Sequence, residues 1–184
     1  MPFFTIGHSN RTAEAFVDLL QRSGVGLVVD VRSMSRSRAN PQFNADVLPQ
    51  SLAAAQIGYQ RAPALGGLRG RQWSVDPSPN GLWRVRSFRN YADYALGEAF
   101  AEALSELRAV GAARPAAIMC AEAVWWRCHR RIIADHLLVA GEQVEHILGP
   151  GHVEPARLTP GAQPRPDGHI VYPPQAAVAA GMQP

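Results

Sequence analysis

The chain has 184 residues, 47% of them hydrophobic and 18% charged, which fits one globular domain that is long enough to bury its own core. It contains no run of about 18 apolar residues, and its start lacks the basic and apolar regions of a signal peptide, so we predict a cytoplasmic protein with no membrane partner. The net charge of +3 suits an anionic partner but is too small to indicate nucleic-acid binding by itself.

The beginning of the chain has the pattern of a β-α-β unit. Residues 3–8 form an apolar run that Gly7 closes, and Thr12 is a suitable N-cap for a helix whose apolar stripe ends before Gly24. Residues 26–32 are rich in Val and Leu on both faces. This pattern is typical of a parallel strand that helices cover on each side.

Strands and helices continue to alternate through residues 1–149. We expect a helix from a cap at Asn44 to about residue 56, a strand at 58–62, a helix at 91–110 that Gly97 interrupts, a strand at 116–120, a helix at 125–140 and a strand at 143–148. The predicted fold is a three-layer α/β domain, Rossmann-like or flavodoxin-like, with a mostly parallel sheet of about five strands.

Two segments depart from this alternation. Residues 63–89 form a long irregular loop rich in arginine and tryptophan, and loops of this length are usually functional or mobile. Residues 150–184 contain eight prolines, and we expect this C-terminal extension to pack on the surface or to be partly disordered. Within it, residues 168–172 could pair or dock briefly, and the Ala-rich final residues are expected to fray.

Polar and titratable side chains tend to follow the predicted strands rather than precede them. In an open parallel sheet the ligand cleft lies beyond the carboxyl ends of the strands, so these residues are candidates for one site. Structural alternatives exist, because His8 could be a hydrogen-bonded buried group, and Asp30 with Arg32 could be a buried pair that orders the loop. The residues that we expect to bind substrate are His8, Ser9, Asp30, Arg32, Gly66, Gly67 and Arg130.

The densest group of reactive side chains lies between the strand at 116–120 and the helix at 125–140. Both cysteines are here, and we expect Cys128 in the first turn of the helix, where the helix dipole and nearby arginines favour a thiolate. The helical period directs His129 and Arg130 toward the sheet. It places Arg131 and Asp135 on another face, as a solvent-exposed pair of little energetic weight.

Three chemistries could use this group. Cys120 or Cys128 could be a nucleophile or redox group, although each could also be a small packed side chain. Both thiols together with His129 could bind a metal ion, but the spacing matches none of the common zinc patterns, and we predict no cofactor. Glu122 could instead act as a general acid or base beside His129 while arginines hold an anionic substrate. The predicted catalytic residues are therefore Cys120, Glu122, Cys128 and His129.

The long loop at 63–89 also has alternatives. Its cations and rings could form a nucleic-acid groove, a lid over the cleft, or a solvated loop with anchoring aromatic residues. The side chains concerned are Arg69, Arg71, Trp73, Trp83, Arg84 and Arg86.

Several short motifs resemble those of DUF488, a bacterial and archaeal domain family of unknown function. They are Thr-Ile-Gly-His-Ser at 5–9, Asp-Val-Arg-Ser at 30–33, Leu-Gly-Gly at 65–67, and Cys-Ala-Glu at 120–122 with Cys-His-Arg at 128–130. A Leu-Thr-Pro-Gly phrase at 158–161 is similar too. The resemblance extends from residue 3 to about residue 150, and it implies a shared site at these positions without implying a reaction.

These features together favour an enzyme that acts on a small anionic or nucleotide-like substrate at the carboxyl edge of the sheet. A hydrolase or a transferase is favoured slightly over other classes, although the sequence does not define the reaction. The alternatives are a nucleic-acid-associated module built on the loop at 63–89, and a thiol-redox or metal-binding protein.

Overall fold

Helices and strands alternate along the chain in the predicted order. A computed structural model of the protein describes residues 1–175. The strands are β1 (Phe3–Gly7), β2 (Leu27–Asp30), β3 (Gly58–Arg61), β4 (Ala116–Cys120), β5 (Val144–Gly149), β6 (His152–Pro155), β7 (Gln163–Pro164) and β8 (Ile170–Val171). The helices are α1 (Ala13–Arg22), α2 (Leu48–Ala54), α3 (Arg86–Tyr94), α4 (Glu98–Ala113) and α5 (Arg130–Val139). Within residues 1–175, none of the helices has the length and apolar character needed to span a membrane.

One sheet holds the domain together, with the strand order β3-β2-β4-β1-β5-β6. β1 to β5 are mutually parallel, and β6 runs antiparallel beside β5 at the edge. The predicted three-layer α/β domain with a mostly parallel sheet is confirmed, and its strand order places β4 between β1 and β2. The sequence analysis missed β6, because its four residues lack the alternating apolar positions that identify a strand.

Helices cover both faces of the sheet. On one face, Leu20 of α1 and Leu52 of α2 pack against Val28 of β2. On the other face, α3, α4 and α5 bury their apolar sides, with Leu107 of α4 in the same cluster as Ile118 of β4. Successive strand residues point to opposite faces, so the Val-rich and Leu-rich runs serve both cores at once.

The chain leaves β2 and β4 toward opposite faces of the sheet. These two strands are neighbours, but β2 continues toward α2 on one face and β4 continues toward α5 on the other. A parallel sheet holds its ligand where neighbouring connections diverge in this way, beyond the carboxyl ends of the strands. On the other side of β4, the backbone pairing with β1 continues briefly past the strand ends, since the His8 amide donates to the Cys120 carbonyl oxygen at 2.9 Å.

Some predicted helix boundaries are wrong. Thr12 caps α1 as predicted, accepting a hydrogen bond from the Ala15 amide at 3.2 Å. Asn44 does not cap α2; its side chain accepts from the Ser37 amide at 2.7 Å, and α2 begins only at Leu48. The helix predicted at 91–110 is two helices, and Gly97 caps the second of them, which confirms the predicted interruption.

The helix predicted at 125–140 also begins later than expected. Trp125–Arg127 forms a separate 3-10 turn, and Cys128 has extended backbone angles, φ −128° and ψ 146°. Cys128 therefore precedes α5 and is not part of its first turn. The chain thus reverses direction between the two cysteines, so residues eight apart in sequence can face each other.

The C-terminal segment forms a short strand pair and buries side chains against the domain. β7 and β8 form a short antiparallel pair, in line with the expected pairing near residues 168–172. Tyr172 is fully buried, and its hydroxyl donates to the Asp135 carboxylate at 2.8 Å. The predicted solvent pair between Asp135 and Arg131 is wrong, because Arg131 donates instead to the Thr159 hydroxyl at 2.8 Å. The expected fraying concerns the final Ala-rich residues, which lie outside the described range.

Candidate active site at the carboxyl edge of the sheet

A cleft of about 410 Å³ lies beyond the carboxyl ends of β2 and β4. This volume is within the range of small-molecule sites. Its floor comes from the segment after β4, and its walls come from the loops after β2 and β3 and from the first turn of α3. The lining residues are Arg32, Ser33, Met34, Gly67, Leu68, Ser87, Phe88, Cys120, Ala121, Glu122, Arg127, Cys128 and His129.

Both thiols lie at the floor of this cleft. Cys120 is the last residue of β4, and Cys128 follows the 3-10 turn at Trp125–Arg127. Their sulfur atoms and a ring nitrogen of His129 all lie within 4.8 Å of one another. Cys128 is only 4% exposed, whereas Cys120 is half-buried. The strand end and the turn thus bring together three side chains that the sequence analysis predicted to be catalytic.

The surroundings of the two sulfurs separate their ionisation. The nearby Cys120 thiol lowers the pKa of Cys128 well below its usual range, despite the opposing effect of burial. His129 and the positive charge of Arg130 act in the same direction. The nearby Cys128 sulfur, together with burial, raises the pKa of Cys120. Because Arg130 and His129 also contact Cys128, its sulfur is the one of the pair that more readily carries a negative charge.

Arg130 is a buried cation that contacts one of the two cysteines. Its side chain is 1% exposed, and its Nε donates to the Cys128 sulfur at 3.2 Å. A terminal nitrogen of the same guanidinium donates to the Glu122 carbonyl oxygen at 2.5 Å. Gly7 allows the Glu122 carbonyl group to lie where it accepts this hydrogen bond, because a Cβ at position 7 would collide with that carbonyl group. Arg130 thus stabilises the sulfur charge and fixes the segment that carries Glu122.

His129 is held edge-on beside the thiols. Its Nδ1 lies 3.6 Å from the Cys128 sulfur, and its ring packs against Tyr91 with centroids 5.0 Å apart. Gly67 lies against the ring so closely that a Cβ there would overlap Nδ1. With a proton on Nδ1 the ring donates to the thiolate, and its buried Nε2 has no partner within residues 1–175.

A second polar cluster lies beside the cleft, and its groups bind one another. Arg32 donates to both carboxylate oxygens of Asp30, at 2.8 and 2.6 Å, and to the Phe43 carbonyl oxygen at 2.7 Å. Tyr59 donates to the same carboxylate at 2.7 Å. His8 contacts Arg32 at 3.2 Å, and burial, which disfavours the charged ring, lowers the pKa of His8 to about 4. This arrangement matches the structural alternative, in which Asp30 and Arg32 order the loop.

Comparison with known proteins identifies the family. A profile for DUF488, described as a domain of unknown function, matches residues 12–137. The chain belongs to the DUF488 family. No curated protein and no solved structure matches the chain. The family predicted from the short motifs is therefore confirmed.

The cleft contains only part of the predicted DUF488 site. All four predicted catalytic residues line it, together with Arg32 and Gly67. Ser9, Gly66, Asp30, His8 and Arg130 do not line it; they lie behind it or beside it and hold its loops in place. Gly66 is buried, and its carbonyl oxygen accepts from Arg69 Nε at 2.8 Å.

Sequence reasoning missed several lining residues of the DUF488 cleft. Ser33 and Met34 follow the Asp-Val-Arg motif directly, and Leu68 follows the Gly-Gly pair. Their position after predicted strands was the available signal, but none of the three has a readily titratable side chain. Ser87 and Phe88 were hidden, because α3 begins earlier than its apolar period indicates.

The arginine and tryptophan residues of the loop at 63–89 divide into two groups in this DUF488 chain. Arg69 lies 3.8 Å above the ring of Tyr94 and donates to three carbonyl groups, and Trp83 is buried against Phe88 and Tyr172. These two residues anchor the loop. The exposed members are Arg71, Trp73, Arg84 and Arg86. Nucleic-acid binding or lid movement by this loop stays a prediction.

Three side chains of the DUF488 cleft could hold a metal ion. The donors are the two sulfurs and a His129 nitrogen, and sulfur and imidazole ligands suit zinc and related soft metals. Exposure to the cleft would leave one coordination position open. The donor set therefore fits such an ion chemically.

Proposed function

We propose that the protein is an enzyme that uses the Cys128 thiolate as a nucleophile on a small substrate in the cleft. The observation that carries this proposal is the hydrogen bond of 3.2 Å from buried Arg130 to the Cys128 sulfur at the cleft floor. A thiolate is the nucleophilic form of cysteine, and an adjacent cation maintains it at neutral pH.

The roles of the neighbours follow from their positions. The Cys128 sulfur attacks an acyl carbon of the substrate, forms a covalent thioester bond, and displaces a leaving group. Cys120 and His129 stabilise the negative charge on the Cys128 sulfur before it attacks the substrate. Glu122 lines the cleft and can accept a proton from the water or acceptor that releases the bound group, which regenerates the thiolate. This sequence describes a hydrolase or a group transferase.

A small activated ester tests the nucleophile even though the natural substrate is unidentified. With p-nitrophenyl acetate we expect one rapid equivalent of p-nitrophenolate, and peptide mapping should find the acetyl group on Cys128. Cys128→Ser should abolish the burst, and Cys120→Ser should retain it because a hydroxyl can still donate to the thiolate. A burst that persists in Cys128→Ser, or an unmodified Cys128 in the wild-type protein, would refute the proposal.

The proximity of the two sulfurs to His129 favours a second candidate, a metal-dependent protein. It predicts one equivalent of bound metal in protein purified without chelator. Metal content that is lost in a Cys120→Ala and Cys128→Ala double variant would support it. Metal-free protein that still acylates at Cys128 would exclude it.

A further inference from the structure

Of the three arginines at the cleft and its floor, one has a guanidinium without a partner within residues 1–175. Arg32 is bound to Asp30, and Arg130 is bound to the Cys128 sulfur and to the Glu122 carbonyl oxygen. Arg127 lines the same cleft and is exposed, and its guanidinium forms no hydrogen bond or ion pair within residues 1–175. Its guanidinium is thus the cation of the cleft that is available to an anion.

The cleft mouth also carries unusually exposed apolar side chains. Met34 is 71% exposed and Leu68 is 72% exposed, and both line the cleft together with the half-buried Phe88. Large apolar side chains that converge on a cleft containing a few polar groups are characteristic of a ligand-binding surface. A purely ionic metabolite would leave this wall exposed to water.

We propose that the substrate carries an anionic group that pairs with Arg127 and an apolar body that covers Met34, Leu68 and Phe88. The anionic group is a carboxylate or a phosphate, which share the planar or forked oxygen geometry that arginine binds. This inference rests on the proposed function, since a substrate held by both features lies over the floor that contains Cys128. It assigns to Arg127 the binding of the substrate anion that the sequence analysis expected of Arg32 and Arg130.

Alkylation of Cys128 measures the charge preference directly. Iodoacetate and iodoacetamide transfer similar groups to the sulfur with loss of iodide, but only iodoacetate is anionic. We expect the ratio of the two rate constants, iodoacetate over iodoacetamide, to fall about fivefold in Arg127→Gln, because one nearby charge contributes on the order of a kilocalorie per mole. Arg157→Gln is the matched control, because Arg157 is exposed outside the cleft and should leave the ratio unchanged.

Protection against iodoacetamide measures the apolar part. We expect 3-phenylpropionate or phenyl phosphate to protect Cys128 at concentrations about tenfold lower than acetate or inorganic phosphate, because the phenyl group covers apolar surface. The neutral 3-phenylpropionamide should protect poorly. Leu68→Ser should remove the advantage of the phenyl group, whereas Val47→Ser, at an exposed valine outside the cleft, should not.

The outcomes separate this inference from the proposed function. A Cys128 that neither reagent alkylates, and that p-nitrophenyl acetate does not acylate, contradicts the nucleophile itself. A reactive Cys128 with the same reagent ratio in the wild-type protein and in Arg127→Gln contradicts only the anion site. Equal protection by 3-phenylpropionate and its amide also contradicts the anion site. Protection that is independent of the phenyl group contradicts binding of an apolar body at Met34, Leu68 and Phe88. Preference for the carboxylate or for the phosphate identifies which anion the site accepts.

Discussion

Two clusters at the carboxyl edge of the sheet pair a buried arginine with an anion, but they differ in what else the arginine contacts. In the first cluster, around Arg32, the Asp30 carboxylate accepts from Arg32 and Tyr59, and the remaining guanidinium donors meet a carbonyl oxygen and His8. In the second cluster, around Arg130, the anion is the Cys128 sulfur, which also borders the cleft. The first cluster therefore satisfies its own charges, and the second leaves at the cleft the sulfur atom that we propose as a nucleophile.

This difference shows that a conspicuous charged residue near a strand end is not by itself a ligand-binding residue. A buried ion pair needs hydrogen bonds to all its polar atoms to offset desolvation, and a pair that obtains them has little capacity left for substrate. The Arg32 cluster meets that condition. The sulfur of Cys128 is stabilised by three neighbours, yet it keeps access to a small molecule, which a catalytic group requires.

The largest expected effect concerns the stability of the Arg32 cluster. Asp30 and Arg32 are 0% and 5% exposed, so Asp30→Ala leaves a buried guanidinium without its carboxylate. We expect the free energy of unfolding in urea to fall by about 3–5 kcal/mol. Asp18→Ala removes an exposed carboxylate that pairs with Arg22 and should cost at most about 1 kcal/mol. Similar losses in the two variants would remove the structural role assigned to the Arg32 cluster.

The pH dependence of stability tests the same cluster through His8. The folded protein holds the pKa of His8 at about 4, below the ordinary value of 6.5, so between these pH values only the unfolded chain takes up the proton. Stability should therefore be complete above pH 6.5 and should fall toward pH 4, with a contribution from His8 of about 1.4 kcal/mol per pH unit.

His8→Gln removes this titration. Urea unfolding at several pH values should show a shallower loss of stability on acidification in His8→Gln than in the wild-type protein. His152→Gln changes an exposed histidine and should leave the slope as it is. An unchanged slope in His8→Gln would show that the His8 ring takes up its proton equally in the folded and unfolded chains.

A smaller effect on stability is expected from a change at Gly67, in the loop after β3, which packs against His129. A Cβ at Gly67 would overlap His129 Nδ1, whereas a Cβ at the nearby Gly70 would meet nothing within 4 Å. We expect Gly67→Ala to cost about 1–3 kcal/mol in unfolding free energy and to slow alkylation of Cys128, because His129 must move. Gly70→Ala should change neither quantity. A silent Gly67→Ala would mean that the position of His129 is not fixed by this contact.

The fold class followed from local patterns, because β2 and β4 are apolar on both faces and α1 has a good cap at Thr12. The edge strand β6 and the start of α3 were missed for the opposite reason: neither has an apolar period, and tertiary contacts determine both. The short motifs were enough to predict the family. The grouping of Cys120 with Cys128 and His129 could also be predicted, because all three lie at the end of one strand or within ten residues after it. The Asp30–Arg32 contact joins residues two apart and was one of the predicted alternatives, and Arg130 likewise contacts Cys128 two residues earlier. The sequence does not report the carbonyl oxygens of Phe43 and Glu122 that complete these contacts, because the fold brings them there.

The smallest expected effect tests how Cys120 acts on the sulfur of the second cluster. The nearby Cys120 thiol is the main influence that lowers the pKa of Cys128, so Cys120→Ala should raise that pKa and move the pH profile of iodoacetamide alkylation to higher pH. Cys120→Ser keeps a donor and should shift the profile less.

The two substitutions at Cys120 separate a hydrogen bond from mere packing. If burial alone governed Cys128, Ala and Ser would act alike, and both profiles would stay near that of the wild-type protein. If the sulfur charge depends on a donor, the two profiles must differ, because only Ser supplies one. Arg130 remains in both variants, so the difference isolates the neutral donor from the cation. A thiolate that keeps its low pKa in Cys120→Ala would assign its stabilisation to Arg130 and His129 alone, and it would sharpen the contrast with Arg32, whose charge is already taken up by Asp30.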